Sequence, residues 1–129
     1  MTTWNLNGTM SHVLICNGSS CMRKGGEEVT QAIRDEIKKQ EMDTLVHTTR
    51  TRCNGRCKDA CIAIIYPEGT WYKVPDEEAA RTIVHQHLLL GEKVKELIVY
   101  EYGETGFCLS QENGWITGVE KGEKKEAVQ

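Results

Sequence analysis

Ile62-Ala-Ile-Ile-Tyr66, Pro67-Glu-Gly-Thr70 and Trp71-Tyr-Lys-Val74 follow one another directly, and their order decides the fold. The first is a short apolar run that reads as a strand buried on both faces. The second is a turn, and the third pairs back as the far arm of a hairpin. Upstream, His12-Val-Leu-Ile-Cys16 reads as a short buried strand ending on a cysteine, and Thr44-Leu-Val-His-Thr-Thr49 as a second, β-branched strand. Between them, after the loop Asn17-Gly-Ser-Ser20 and the glycine pair Gly25-Gly26, Val29, Ile33 and Ile37 form an i, i+4 stripe. That stripe predicts a helix over about 27–40. Glu27 and Glu28 in its first turn and Lys38 and Lys39 in its last suit the helix dipole. Downstream of the hairpin a second helix is predicted from Asp76, a plausible N-cap, to Leu90. Its apolar face is Ala80, Ile83, Val84, His87 and Leu88, and Gly91 stops it. Val94 to Val99 reads as one more short strand or a docking segment.

Strand, helix, strand, hairpin, helix is the order of a thioredoxin-like unit. The expectation is an α/β fold with a central mixed β-sheet flanked by helices. That order speaks for fold alone. A chain of 129 residues with 39% apolar content suffices for one such domain with a modest core. The domain is expected at 12–101, preceded by a polar, unanchored arm at 1–11. Residues 102–129 lose periodicity and form a C-terminal extension, partly disordered at the charged Lys121-Gly-Glu-Lys-Lys-Glu126.

The longest apolar run, Cys61-Ile-Ala-Ile-Ile-Tyr66, falls far short of the roughly 20 residues of a membrane helix. The start of the chain has neither the basic nor the apolar region of a secretory signal. A cytoplasmic protein is expected, without membrane association. A net charge of −3 argues against a general nucleic-acid binder. Arg23, Lys24, Arg50, Arg52, Arg56 and Lys58 nevertheless lie close in sequence to cysteines, while acidic residues gather from Asp76 onward. The cysteine region is a basic island, and Arg23, Arg52, Arg56 and Lys58 are candidates for docking a partner with an acidic face.

Six cysteines in a reducing cytosol favour metal binding or redox chemistry over disulfides. Four of them form two pairs, Cys16-x4-Cys21 after the first strand and Cys53-x3-Cys57 before the third. Loops at neighbouring strand ends can bring such pairs together. Four thiolates suit a binuclear iron–sulfur cluster, and they equally suit a structural zinc ion, whose pairs have similar spacings. Spacing alone leaves both open. Gly18 and Gly55 lie inside the pairs, where the lack of a Cβ lets backbone N–H groups approach sulfur.

Cys16-Asn-Gly-Ser-Ser-Cys-Met-Arg-Lys-Gly-Gly-Glu-Glu-Val29, Cys53-Asn-Gly-Arg-Cys57 and Ile64–Val74 are similar to segments of the thioredoxin-like [2Fe–2S] ferredoxins. So is the run from Pro75 to Val94. The resemblance is collinear over about residues 12–99. This family includes the bacterial Shethna-type ferredoxins and the thioredoxin-like subunit of respiratory NADH dehydrogenase. The short loop within the first pair resembles the dehydrogenase subunit more, but that subunit's helical N-terminal extension has no match here. The resemblance implies a one-electron carrier rather than an enzyme, with one [2Fe–2S] cluster on Cys16, Cys21, Cys53 and Cys57, and in free members commonly a homodimer. A small ferredoxin of this type is also associated with anaerobic cobalamin biosynthesis in bacilli. Where the family usually carries Gly-Pro, this chain has Ala60-Cys61. Cys61 is therefore a candidate reserve ligand. The remaining alternatives are a zinc-stabilised four-cysteine interaction module and a cluster-bearing subunit of a larger redox complex.

No catalytic set can be assembled, since Ser19 and Ser20 have no evident histidine partner and no phosphate-binding loop is present. His12, His47, His85 and His87 read as packed or surface side chains, and Cys108 as a free thiol. Trp71 and Tyr72 read as core or interface residues that, with the segment after Val94, offer a dimer surface.

Overall fold

The structure, a computed structural model, describes residues 3–122. Its centre is a six-stranded mixed sheet: β1 (Ser11–Cys16), β2 (Val46–Thr51), β3 (Ile62–Tyr66), β4 (Thr70–Lys73), β5 (Ile98–Gly103) and β6 (Gly106–Leu109), in spatial order β2-β1-β3-β4-β5-β6. β1 and β2 are parallel and every other pair is antiparallel. The helices are α1 (Ser19–Arg23), α2 (Gly26–Lys39) and α3 (Glu77–Ile83).

Period-two alternation sorts the sheet into two faces. Val13, Ile15, Ala63, Ile65, Thr70, Tyr72 and Ile98 fall on one face by register, and all are buried. α2 and α3 cover it with Val29, Ile33, Ile37, Ala80 and Ile83. The opposite face carries Leu14, Ile64, Trp71, Tyr100 and Leu109 in one row. Here the C-terminal segment supplies cover. The Trp115 indole N–H donates to the Ile98 carbonyl and its ring lies beneath the Lys73 ammonium.

The predicted hairpin and first long helix stand within a residue or two of their expected bounds. β2 starts and ends later than expected. Leu45 and Val46 give their N–H groups to the Met42 carbonyl in a turn, while the parallel register with β1 continues to Thr51. The expected loop at 17–20 instead winds into α1, whose five residues are too few to show a periodic stripe. Asp76 is the N-cap of α3, accepting from the Ala79 N–H at 2.8 Å. Past Ile83 the helix widens into a π-helical turn, Val84–Leu89, closed by Leu90 N–H on the His85 carbonyl.

Two expected boundaries shift. The arm does not run free to residue 11, because Met10 and Ser11 both donate to the Leu45 carbonyl and Ser11 opens β1. The expected edge at 101 falls inside β5, and the sheet continues through β6 to Leu109. Most of the charged stretch expected to be disordered lies outside the described residues. No helix among them is long and apolar enough to cross a membrane.

Candidate metal centre

β1 and β2 end side by side, so the segments that leave them converge. Cys16 is the last residue of β1, and Cys21 follows one short helix later. Cys53 and Cys57 lie in the loop that leaves β2, with Cys57 opening a 3-10 turn over Cys57–Asp59. All four thiols line one cavity, along with Ser19, Ser20, Asn54 and Ile62. Cys16 and Cys21 are buried, whereas Cys53 and Cys57 are exposed with their sulfurs 3.5 Å apart. The donors ring the cavity. Among the described residues no three Cys, His, Asp or Glu side chains are grouped to hold a single ion.

The two glycines serve the cavity in different ways. A Cβ on Gly18 would stand 2.8 Å from the Cys53 Cα and 2.9 Å from its nitrogen, so only glycine lets the two cysteine segments touch there. Gly55 instead needs its backbone conformation, with φ +87°, and its N–H points to the Cys53 sulfur at 3.3 Å. Two asparagines flank them. Asn17 Nδ2 donates to the Ile15 carbonyl and Asn54 Nδ2 to the Arg52 carbonyl, each reaching two residues back to hold its turn. The sequence reading did not assign them a role, although the repeated Cys-Asn-Gly at 16–18 and 53–55 was the available signal.

These donors act on sulfur charge. Burial pushes the Cys16 thiol up, but hydrogen bonds from the Gly18 backbone and the Asn54 side chain and backbone outweigh it and hold Cys16 below the ordinary thiol value. Burial pushes Cys21 up to about 12, with Cys16 adding to the effect. Four thiolates here therefore require a compensating cationic group, as a bound metal centre supplies. Soft thiol donors from two segments, N–H groups aimed at sulfur and a contact that tolerates no Cβ all fit an iron–sulfur centre.

Two expected site residues differ. Cys61 does not line the cavity: it is fully buried, and its thiol donates to the carbonyls of Cys21 and Lys24 at 3.3 and 3.4 Å. The peptide before it is cis. Its sulfur serves the backbone that carries Cys21. Arg56 is not an exposed docking cation, unlike Arg23, Arg52 and Lys58. Its side chain is 11% exposed and paired with the buried Asp59 carboxylate at 2.7 Å. His12 and His47 stack against each other at the opposite end of β1, and His87 bonds Tyr72 behind the sheet, so neither site approaches the cavity.

The model of the thioredoxin-like [2Fe-2S] ferredoxins matches residues 3–87. A Priestia megaterium protein that carries the name of a 2Fe-2S ferredoxin is 58% identical over 94% of this chain and 94% of its own. A 2Fe-2S ferredoxin of Clostridium pasteurianum is 30% identical over 67% of this chain and 92% of its own. Among solved structures, the thioredoxin-like [2Fe-2S] ferredoxin of Aquifex aeolicus superposes with a TM-score of 0.67 at 27% identity, covering 74% of this chain and 94% of that one. The cavity, its thiols and the sheet around them thus sit in a sequence of known kind: the chain belongs to the thioredoxin-like [2Fe–2S] ferredoxin family.

Proposed function

We propose that Cys16, Cys21, Cys53 and Cys57 hold the [2Fe–2S] cluster, and that the chain carries single electrons to or from a redox partner that docks over Cys53 and Cys57. The convergence of four thiols from two chain segments on one cavity carries this reading. The bound cluster supplies a reversible one-electron couple. Cys16 at the end of β1 and Cys21 in α1, both buried, anchor the inner side. Hydrogen bonds to the sulfurs of Cys16 and Cys53 stabilise negative charge there and so favour electron uptake. Cys53 and Cys57, being exposed, form the side open to a partner. Arg52 and Lys58 flank that pair and Arg23 follows Cys21 by two residues; all three are exposed, which suits a partner with an acidic face. Six free thiols fit a reducing cytoplasm.

Anaerobic purification followed by metal and sulfide analysis tests the ligand assignment. About two iron and two acid-labile sulfides per chain, with a paramagnetic signal on one-electron reduction, are expected. One zinc per chain without sulfide would identify a zinc-stabilised module instead. Purification as a free protein rather than within a larger assembly separates a carrier from a subunit.

A homodimer is proposed through the segment after Val94, without Trp71 and Tyr72. Tyr72 is fully buried and Trp71 is packed against Tyr100 and Phe107, so neither offers a dimer surface. Tyr102 and Phe107, in that segment, are exposed aromatics beside the free edge of β6. Sedimentation that gives a concentration-independent monomer would exclude the dimer.

A further inference from the structure

Arg56 lies between Cys53 and Cys57, yet its guanidinium is spent on contacts inside the protein. Nε and Nη2 meet the Asp59 carboxylate at 2.8 and 2.7 Å. Nη2 donates to the Ile116 carbonyl at 2.7 Å and Nη1 to the Thr117 carbonyl at 3.2 Å. The guanidinium carbon stands 5.1 Å from the centre of the Tyr100 ring. At Gly118, a Cβ would come within 3.2 Å of Nη1, so the backbone there runs directly against the guanidinium. The same segment is fixed again further back. Asn113 donates to the Lys95 and Ile98 carbonyls, and the Trp115 indole to Ile98. These residues lie beyond the stretch 3–87 that the family model matches.

We infer that residues 113–118 are a strap that holds the Cys53–Cys57 loop in place through Arg56, which makes Arg56 a positioning residue for the cluster rather than a docking cation. The inference rests on the ligand assignment proposed above. Asp59 alone would already hold an arginine at this position. What the strap adds is two backbone carbonyls fixed to β5, on which the planar fork of an arginine, and not the single ammonium of a lysine, makes divergent bonds while keeping Asp59. Cys53 and Cys57 are the exposed pair, and the hydrogen bonds holding their loop otherwise arise mostly within the loop itself. Tying that loop to the sheet limits how far it opens and how readily a chelator enters.

Three cluster-loaded full-length variants test this: Arg56→Lys, which keeps the charge near Asp59; Trp115→Ala, which loosens the strap at its far anchor; and both together. The cluster's visible absorption is followed during exposure to an iron chelator in native buffer, and the reduced form is recorded by electron paramagnetic resonance. Each single variant is expected to lose its cluster several-fold faster than wild type and to broaden the resonance. The double variant should match the faster single one, because both act on one strap. Trp115→Ala with wild-type loss rate and resonance would overturn the inference, as would fully multiplicative effects. Should Arg56→Lys fail to assemble a cluster, the Trp115→Ala result still decides. Wild-type protein that binds no cluster would instead overturn the ligand assignment.

Discussion

Replacing Cys57 by serine is expected to empty the cluster site, because no spare thiol stands at the cavity wall. Cys61 is only four residues away, but its sulfur faces the Cys21 and Lys24 carbonyls. Absorption and iron content should therefore be equally low for Cys57→Ser and for the Cys57→Ser, Cys61→Ser double variant. Cys61→Ser alone should keep the cluster and cost about 1 kcal/mol or less, since a hydroxyl can serve the same carbonyls. A residual cluster in Cys57→Ser that vanishes in the double variant would restore Cys61 as a reserve ligand. Gly18→Ala is a steric test of the same cavity. Its methyl would meet the Cys53 backbone at 2.8 Å, so the two cysteine segments must part or the variant must lose roughly 1–3 kcal/mol. Reduced iron content with near-wild-type circular dichroism is the expected outcome. At this scale the sequence disclosed which side chains can bind a soft metal. It did not disclose where Cys61 points, since its carbonyl partners on Cys21 and Lys24 lie more than 35 residues away, nor that Arg56, besides its local pairing with Asp59, reaches Ile116 and Thr117 some 60 residues on.

The π-helical turn after α3 makes a testable acid-sensitive joint. Val94 N–H donates to Tyr72 Oη, which shares a hydrogen bond of 2.6 Å with His87 Nδ1, leaving Nε2 toward Glu68 at 3.6 Å. Burial lowers the His87 pKa from 6.5, with Lys93 adding and Glu68 opposing. The unfolded chain therefore binds this proton before the folded one does. The stabilisation is complete above pH 6.5 and is lost as the pH falls through the folded value. Denaturant unfolding of wild type should weaken over that interval, and His87→Gln should flatten the slope. Equal slopes would mean that His87 titrates alike in both states. At the other end of the same helix, Asp76→Ala removes the acceptor for the Ala79 N–H and should cost about 1 kcal/mol by the same measurement. The Asp76 cap and the Gly91 stop were legible because each is a local signal. The widened turn was not, because a buried tyrosine on a distant strand goes with it. The β5–β6 hairpin too has a local signal. Gly103 and Gly106 bracket two residues between apolar runs, a pattern that marks a tight turn.

For the molecule as a whole, charge and access decide the behaviour toward partners. Arg52→Glu together with Lys58→Glu should lower the reduction potential by an amount on the order of tens of millivolts, because anionic neighbours penalise the more negative reduced form. The same change should slow exchange with an acidic partner, most at low salt. An unchanged potential and salt dependence would mean that these side chains point away from the cluster. The architecture was readable from the order of strands and helices, and the convergence of two cysteine pairs from their place at neighbouring strand ends. The covering of the second sheet face was not, because Asn113, Trp115 and Gly118 lie in a segment with no period of its own and gain meaning only from β5 and Arg56.

Cys16 and Cys21 are buried, while Cys53 and Cys57 are exposed to water. A room with a single door must be entered and left by the same way. Donor and acceptor would then compete for one threshold, and this ferredoxin would travel between them as a courier instead of standing between them as a bridge. In steady-state reduction, an excess of the oxidised acceptor should inhibit competitively against the donor, and no three-protein complex should form at any concentration. A ternary assembly that still passes electrons would reveal a second exit.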